Sequence, residues 1–203
     1  MSQTKSPFIL IENVLDKQAC NQIITSLSYS MPNKINDKPA MTLAFNKLEE
    51  IRLQPLIDDL LDYSEPYYNF ETQRLSSYHF EWYPEGYQAE SIKTDAHLFE
   101  HGKWIKYKET DFTILLSLSD EIVEGSLEND RQHVGGSLQF PTHQFTLHLK
   151  VGDLLMMPSD RHFLYNISDV TLGNMFLCHI MVTSKIPYKY NRHAFNGTFK
   201  DWF

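Results

Sequence analysis

The spacing of apolar residues along this chain changes near Arg74, from helical periods to alternation. Before that point "PFILIENVL" is a short apolar run of strand type. It is followed by "KQACNQIITSLSYS", in which Ala19, Ile23 and Leu27 fall along one side of a helix. Asp16 stands where an N-cap carboxylate accepts the first free amides. A second helical pattern, "NKLEEIRLQPLIDDLLDYS", carries Leu48, Ile51, Leu56, Leu60 and Leu61 at mixed three- and four-residue spacing. Pro55 within it predicts a bend or a split, because its ring removes a backbone hydrogen bond. Both patterns read as cover for a sheet.

From Arg74 onward "RLSSYHFEWY", "QAESIKTDAHLF", "DFTILLSLSD", "GGSLQF", "QFTLHLK", "GDLLMMPS", "HFLYNI" and "NMFLCHIMVT" are strand candidates separated by turn residues. About eight short strands at that spacing predict a sandwich, jelly roll or barrel. Gly135-Gly136 and Gly152-Asp153 read as turns, and "DEIVEGSLENDRQH" as a long surface loop. The expected organisation is one domain over residues 1–184 and a C-terminal tail over 185–203. The tail holds Tyr188, Tyr190, Phe195, Phe199, Trp202 and Phe203, rings that must be buried somewhere. It either packs back on its own sheet or serves as a docking arm for a protein partner or a second copy of the chain.

Composition narrows the function. A net charge of −8, from 26 acidic and 18 basic side chains, opposes binding to a phosphate backbone, so nucleic acid is not an expected partner. No window reaches the roughly 18 apolar residues of a membrane span. The opening "MSQTKSPFILIENVL" lacks the segments of a signal peptide. A cytoplasm, or a virus particle assembled in one, is the expected location rather than secretion. Cys20 and Cys178 lie in apolar settings with neither zinc-like nor redox spacing, and no Gly-x-Ser-x-Gly or phosphate-cradling glycine run occurs.

Three histidines, His97, His162 and His179, are candidates for chemistry. In "KTDAH" alternate residues share a strand face, which puts Lys93, Asp95 and His97 on one side. Asp95 and His97, joined by His162 from a later strand, would supply the two imidazoles and one carboxylate that suit non-heme Fe(II). The plainer alternative is a partly exposed strand carrying solvated polar residues.

The order of elements resembles that of the Fe(II)/2-oxoglutarate oxygenases, in particular the prolyl 4-hydroxylase-like branch. "PFILIENVLDKQACNQII" is similar to that family's first strand and helix, and "WYPEGYQAESIKTDAH" resembles its Tyr-x-x-Gly lead into a His-x-Asp motif. "DFTILLSLSD", "GGSLQF" and "VGDLLMMPSD" resemble the strands and turns that follow. The fold this implies is mainly β with N-terminal helices: a double-stranded β-helix of jelly-roll or cupin type.

The resemblance also places the functional positions, allowing one extra residue between Gly86 and the motif. The family's first histidine falls at Lys93, its carboxylate at Asp95, its distal histidine at Asn166, and its cosubstrate-holding basic residue near Asn174. Only Asp95 keeps its identity. A protonated lysine has no lone pair for Fe(II) and an asparagine offers only a weak carbonyl oxygen, so the metal and cosubstrate positions are substituted. The Lys93 ammonium could compensate Asp95 where a metal would have done so. The resulting expectation is a degenerate oxygenase-fold module that binds or builds without cofactors. Similar domains with the same "GG-x-L-x-FP-x-H" flavour occur in tailed bacteriophage genomes, which points to a virion component. The alternative is an active hydroxylase of a peptidyl or small-molecule substrate, using Fe(II) and 2-oxoglutarate. Iron would then be held by Asp95, His97 and His162, with His179 or Arg161 taking the cosubstrate carboxylate.

Overall fold

Asp16 caps the first helix as its position predicts: Oδ1 accepts the Ala19 N–H at 2.7 Å, at the start of α1 (Lys17–Ser28). The computed structural model describes residues 5–28, 41–44, 47–76, 78–89, 95–106, 108–122, 127–129, 131–195 and 202. Helix α2 (Lys47–Tyr68) runs unbroken past both Pro55 and Pro66, so the split predicted at Pro55 does not occur. Leu53, Ile57, Leu60 and Leu61 are buried on either side of that proline. Burying such side chains stabilises by about 1.5–3 kcal/mol each, enough to offset the roughly 3 kcal/mol cost of proline inside a helix. No described helix is long and apolar enough to cross a membrane.

The other described elements are mostly short strands, with one long exception. In chain order these are β1 (Ile9–Ile11), β2 (Met41–Ala44), β3 (Thr72–Leu75), β4 (His79–Pro84), β5 (His97–Glu100), β6 (Lys103–Lys106) and β7 (Phe112–Ser117). There follow β8 (Asp120–Glu121), β9 (Gln132–Gly135), β10 (Leu138–Phe140), β11 (Phe145–Leu147), β12 (Leu154–Pro158), β13 (Asn166–Ile167) and β14 (Val170–Ser184). One sheet runs β1-β12-β7-β14-β4-β2, with β3 and β9 also on β14 and β8 on β9; a smaller one runs β11-β10-β13. The architecture is the expected double-stranded β-helix, built from more and shorter strands than the sequence pattern suggests. The candidate "QAESIKTDAHLF" contributes only β5, which pairs with β6 as a separate hairpin, and residues 90–94 fall outside the described set. Strand β2 was not apparent from the sequence.

Alternation along β14 sorts the core into two layers. Phe176, Cys178, Ile180 and Val182 face α1 and α2, packing with Phe80, Phe112, Ile114 and Leu154. Met175 and Leu177 face the other way, into the barrel, where Leu115, Leu155 and Met157 of the large sheet meet Leu138, Phe140 and Ile167 of the small one. Both cysteines are free and buried, and burial pushes their thiols well up, Cys20 to about 11.

The described part of the tail lies on this same body. The Tyr188 ring sits 4.6 Å from Phe112 and its N–H donates to Asp111 Oδ1 at 3.1 Å. Phe195 is buried beside Tyr68 and Tyr190, and the Trp202 ring lies 5.9 Å from Phe8. Phe199 and Phe203 fall outside the described residues.

A buried carboxylate and imidazole chain in the barrel as the candidate functional site

The inward face of β4, β7 and β14 becomes polar at one end of the barrel. Since strand side chains alternate, Glu81 and Tyr83 share the face of Leu177 and Met175, and Thr113 and His179 continue it. Asp95, on the segment entering β5, is 6% exposed and projects into the same space.

These side chains form one continuous chain. The Tyr83 hydroxyl donates to Glu81 Oε2 at 2.6 Å, and His179 Nδ1 donates to Glu81 Oε1 at 2.8 Å. On the other side of the ring, Nε2 lies 3.2 Å from Asp95 Oδ2, an ion-pair contact short of a directed hydrogen bond. The same Asp95 oxygen accepts the Thr113 hydroxyl at 2.5 Å and the Tyr165 hydroxyl at 3.0 Å. With the Thr113 proton spent on Asp95, the Ser159 hydroxyl donates to Thr113 Oγ1 at 2.7 Å. His97 Nδ1 donates to the Ser159 carbonyl at 3.1 Å.

Burial alone would lower the His179 pKa. The carboxylates of Asp95 and Glu81 outweigh it and raise the pKa to about 10, so the ring is an imidazolium at neutral pH. Tyr83 and Tyr165 are held neutral, their pKa values driven well up by burial and then by the neighbouring carboxylates. Among the described residues the ensemble is two carboxylates around one cation with neutral hydroxyl donors about them, which is how a buried charge cluster becomes tolerable.

The residues singled out from sequence are distributed unevenly over this site. Asp95 is at its centre and His97 at its edge. His162 is elsewhere, 54% exposed on a short 3-10 turn with Nδ1 on the Asp160 carboxylate. Lys93 lies outside the described residues; among those described, the cation at Asp95 is His179. Asn166 does not face the barrel chain: its Nδ2 reaches Gln139 at 3.4 Å, while the neighbouring Tyr165 reaches Asp95. Asn174 accepts the Trp82 indole N–H at 2.9 Å on the helix side of the sheet, and Met175 faces inward. Each stands beside a residue that does face the barrel, Tyr165 and Met175, because one residue along a strand reverses the face. Arg161 begins the same 3-10 turn as His162 and is exposed.

A ferrous ion does not fit the donor set that the described residues provide. It requires imidazole lone pairs and accessible carboxylate oxygens. The imidazole nearest Asp95 has a carboxylate at each nitrogen and carries both protons, and Asp95 Oδ2 is already engaged by three groups. Among the described residues, no three His, Cys, Asp or Glu side chains are grouped so as to hold a metal ion. Glu81, Thr113 and Tyr165 were missed in the sequence. The available signal was a charged residue at an alternating inward position, Glu81 in "HFEWY", which needs a buried partner of opposite sign.

Solved structures with this architecture include the viral collagen prolyl hydroxylase of Paramecium Bursaria Chlorella virus-1 in its 2OG complex. It is 14% identical with a TM-score of 0.65, over 87% of this chain and 96% of that one. The Trichoplax adhaerens prolyl hydroxylase, solved with a hypoxia inducible factor peptide fragment, is 14% identical with a TM-score of 0.64, over 88% and 84%. A Pseudomonas putida prolyl-4-hydroxylase is 12% identical with a TM-score of 0.63, over 89% and 94%. No protein-family model matches the sequence, and no curated protein matches it. The chain has the fold of these prolyl hydroxylases.

Proposed function

We propose that this protein is a non-catalytic binding or structural module on the prolyl hydroxylase fold, with an internal salt bridge standing where such a fold would hold its metal. The observation that carries the reading is His179: a buried cation with carboxylates on both nitrogens, packed against the one acidic residue that keeps the family pattern, Asp95. A metal's electrostatic task, neutralising a buried carboxylate, is performed here by a side chain. The position expected to carry a basic cosubstrate contact supports the same reading. Met175 occupies the inward face there, and Asn174 is turned outward onto Trp82. An incoming carboxylate would lack the charge-assisted contact, which is worth roughly 1.5–3 kcal/mol.

Metal titration tests this directly. A ligand that binds only the folded state stabilises it by about 2.7 kcal/mol at a hundredfold excess over its Kd. Anaerobic Fe(II) or Mn(II) is expected to leave the thermal midpoint unchanged, and 2-oxoglutarate with iron to yield no succinate. A metal-induced shift that disappears in Asp95→Ala, or succinate formed in step with enzyme concentration, would restore the hydroxylase reading.

A further inference from the structure

The inward row of β14 does not stop at His179. It continues through Met181 to Thr183, and there the barrel opens into a hollow of about 510 Å³. Arg74 of β3 pairs opposite Thr183, and His79 of β4 pairs opposite His179, so both stand on this inward face. Lys108 and Glu109 close the other wall from the segment leading into β7. Among the described residues, two permanent cations and an imidazole therefore line the hollow against a single carboxylate, in a chain whose net charge is −8.

We propose that this hollow is a binding site for the phosphate group of a small phosphorylated molecule. A tetrahedral dianion can take the Arg74 fork, the Lys108 ammonium and an imidazole N–H of His79 at different oxygens, which a planar carboxylate cannot do as fully. Concave sites of this size hold small molecules, and a bare phosphate would leave most of the volume unfilled. The surroundings favour an anion further. Burial holds His79 below its ordinary pKa, and the nearby His179 cation and Lys108 push the same way against Glu81, so the ring is neutral with one N–H to donate while the two cations attract an anion. The site adjoins the buried chain, with His79 paired opposite His179, but shares no side chain with it, and none of its lining residues is one that the iron reading uses.

The test is titration of the folded full-length protein, followed by the His79 ring signals in NMR at constant ionic strength. Glycerol 3-phosphate and inorganic phosphate are the probes, with chloride as the control. Saturable shifts with both, at least as tight for the ester, are expected, together with a rise in the apparent His79 pKa on binding. Arg74 and Lys108 are exposed, so Arg74→Ala/Lys108→Ala should fold normally and bind at least about tenfold more weakly. No saturable shift, equal effects from chloride, or unchanged affinity in the double variant would overturn the site. Tighter binding of bare phosphate than of the ester would overturn the assignment to a phosphorylated molecule.

Discussion

His179 Nε2 lies 3.2 Å from Asp95 Oδ2 with neither side chain more than 8% exposed, while Nδ1 of the same ring is held by Glu81. Removing the imidazole alone would take from two buried carboxylates the cation that lies between them. His179→Leu is therefore expected to cost about 3–5 kcal/mol, measured by urea unfolding. The triple variant Glu81→Gln/His179→Leu/Asp95→Asn should recover much of that loss, because it removes the charges together. Equal stability of His179→Leu and the parent would show that the cluster carries no net charge interaction.

The same cluster predicts a pH dependence of definite sign. His179 titrates near 6.5 when unfolded and near 10 when folded, so between those values the folded state holds the extra proton. Its contribution is fully present below about pH 6.5 and is lost as the pH rises through about 10, by an amount on the order of a few kcal/mol. The stability difference between the parent and His179→Gln should shrink steadily across that range. A difference that stays constant from pH 6 to pH 10 would contradict the raised pKa.

Tyr165 and Asn166 are adjacent but point to opposite faces, and substitution separates them. Tyr165→Phe removes a hydroxyl from a buried carboxylate and should cost roughly 1.5–3 kcal/mol, the range for hydrogen bonds to charged groups. Asn166→Ala removes only a long contact to Gln139, at 3.4 Å, and should cost less than about 1 kcal/mol. Chemical unfolding of the two variants side by side checks the register.

Gly152 gives a backbone test. It adopts φ +84°, and a Cβ there would lie 2.0 Å from the Leu15 carbonyl oxygen where the turn before β12 meets the segment entering α1. Gly152→Ala is both strained and blocked, so it should lower stability by more than about 1 kcal/mol in thermal or urea unfolding.

The parts of this fold legible in the sequence were those set by local rules. Asp16 announced its helix because a cap needs only the next three residues, and "DFTILLSLSD" announced β7 because a buried strand is a continuous apolar run. The unbroken helix at Pro55 was not legible, because tertiary burial of Ile57 and Leu60 overrides a local breaker. The motif around Asp95 points to Lys93 as a neighbouring cation, whereas the cation that the described residues place on Asp95 is His179, on a strand 84 residues away. Asn166 and Asn174 face away from the barrel interior, each next to a residue that faces it. The apolar pattern around both is equally dense on either face, so nothing local fixed which side looked inward.

Strand β14 is the hub of the large sheet, hydrogen-bonded to β3, β4, β7 and β9, and it is the last of the described strands. During synthesis every one of those partners leaves the ribosome before the strand that joins them. The two helices emerge early, yet the sheet they cover has no centre until Ser184 has been made and has cleared the exit tunnel. A chain halted before Val170 would carry unpaired strand edges and a bare apolar layer, the form in which β-rich proteins aggregate and chaperones intervene.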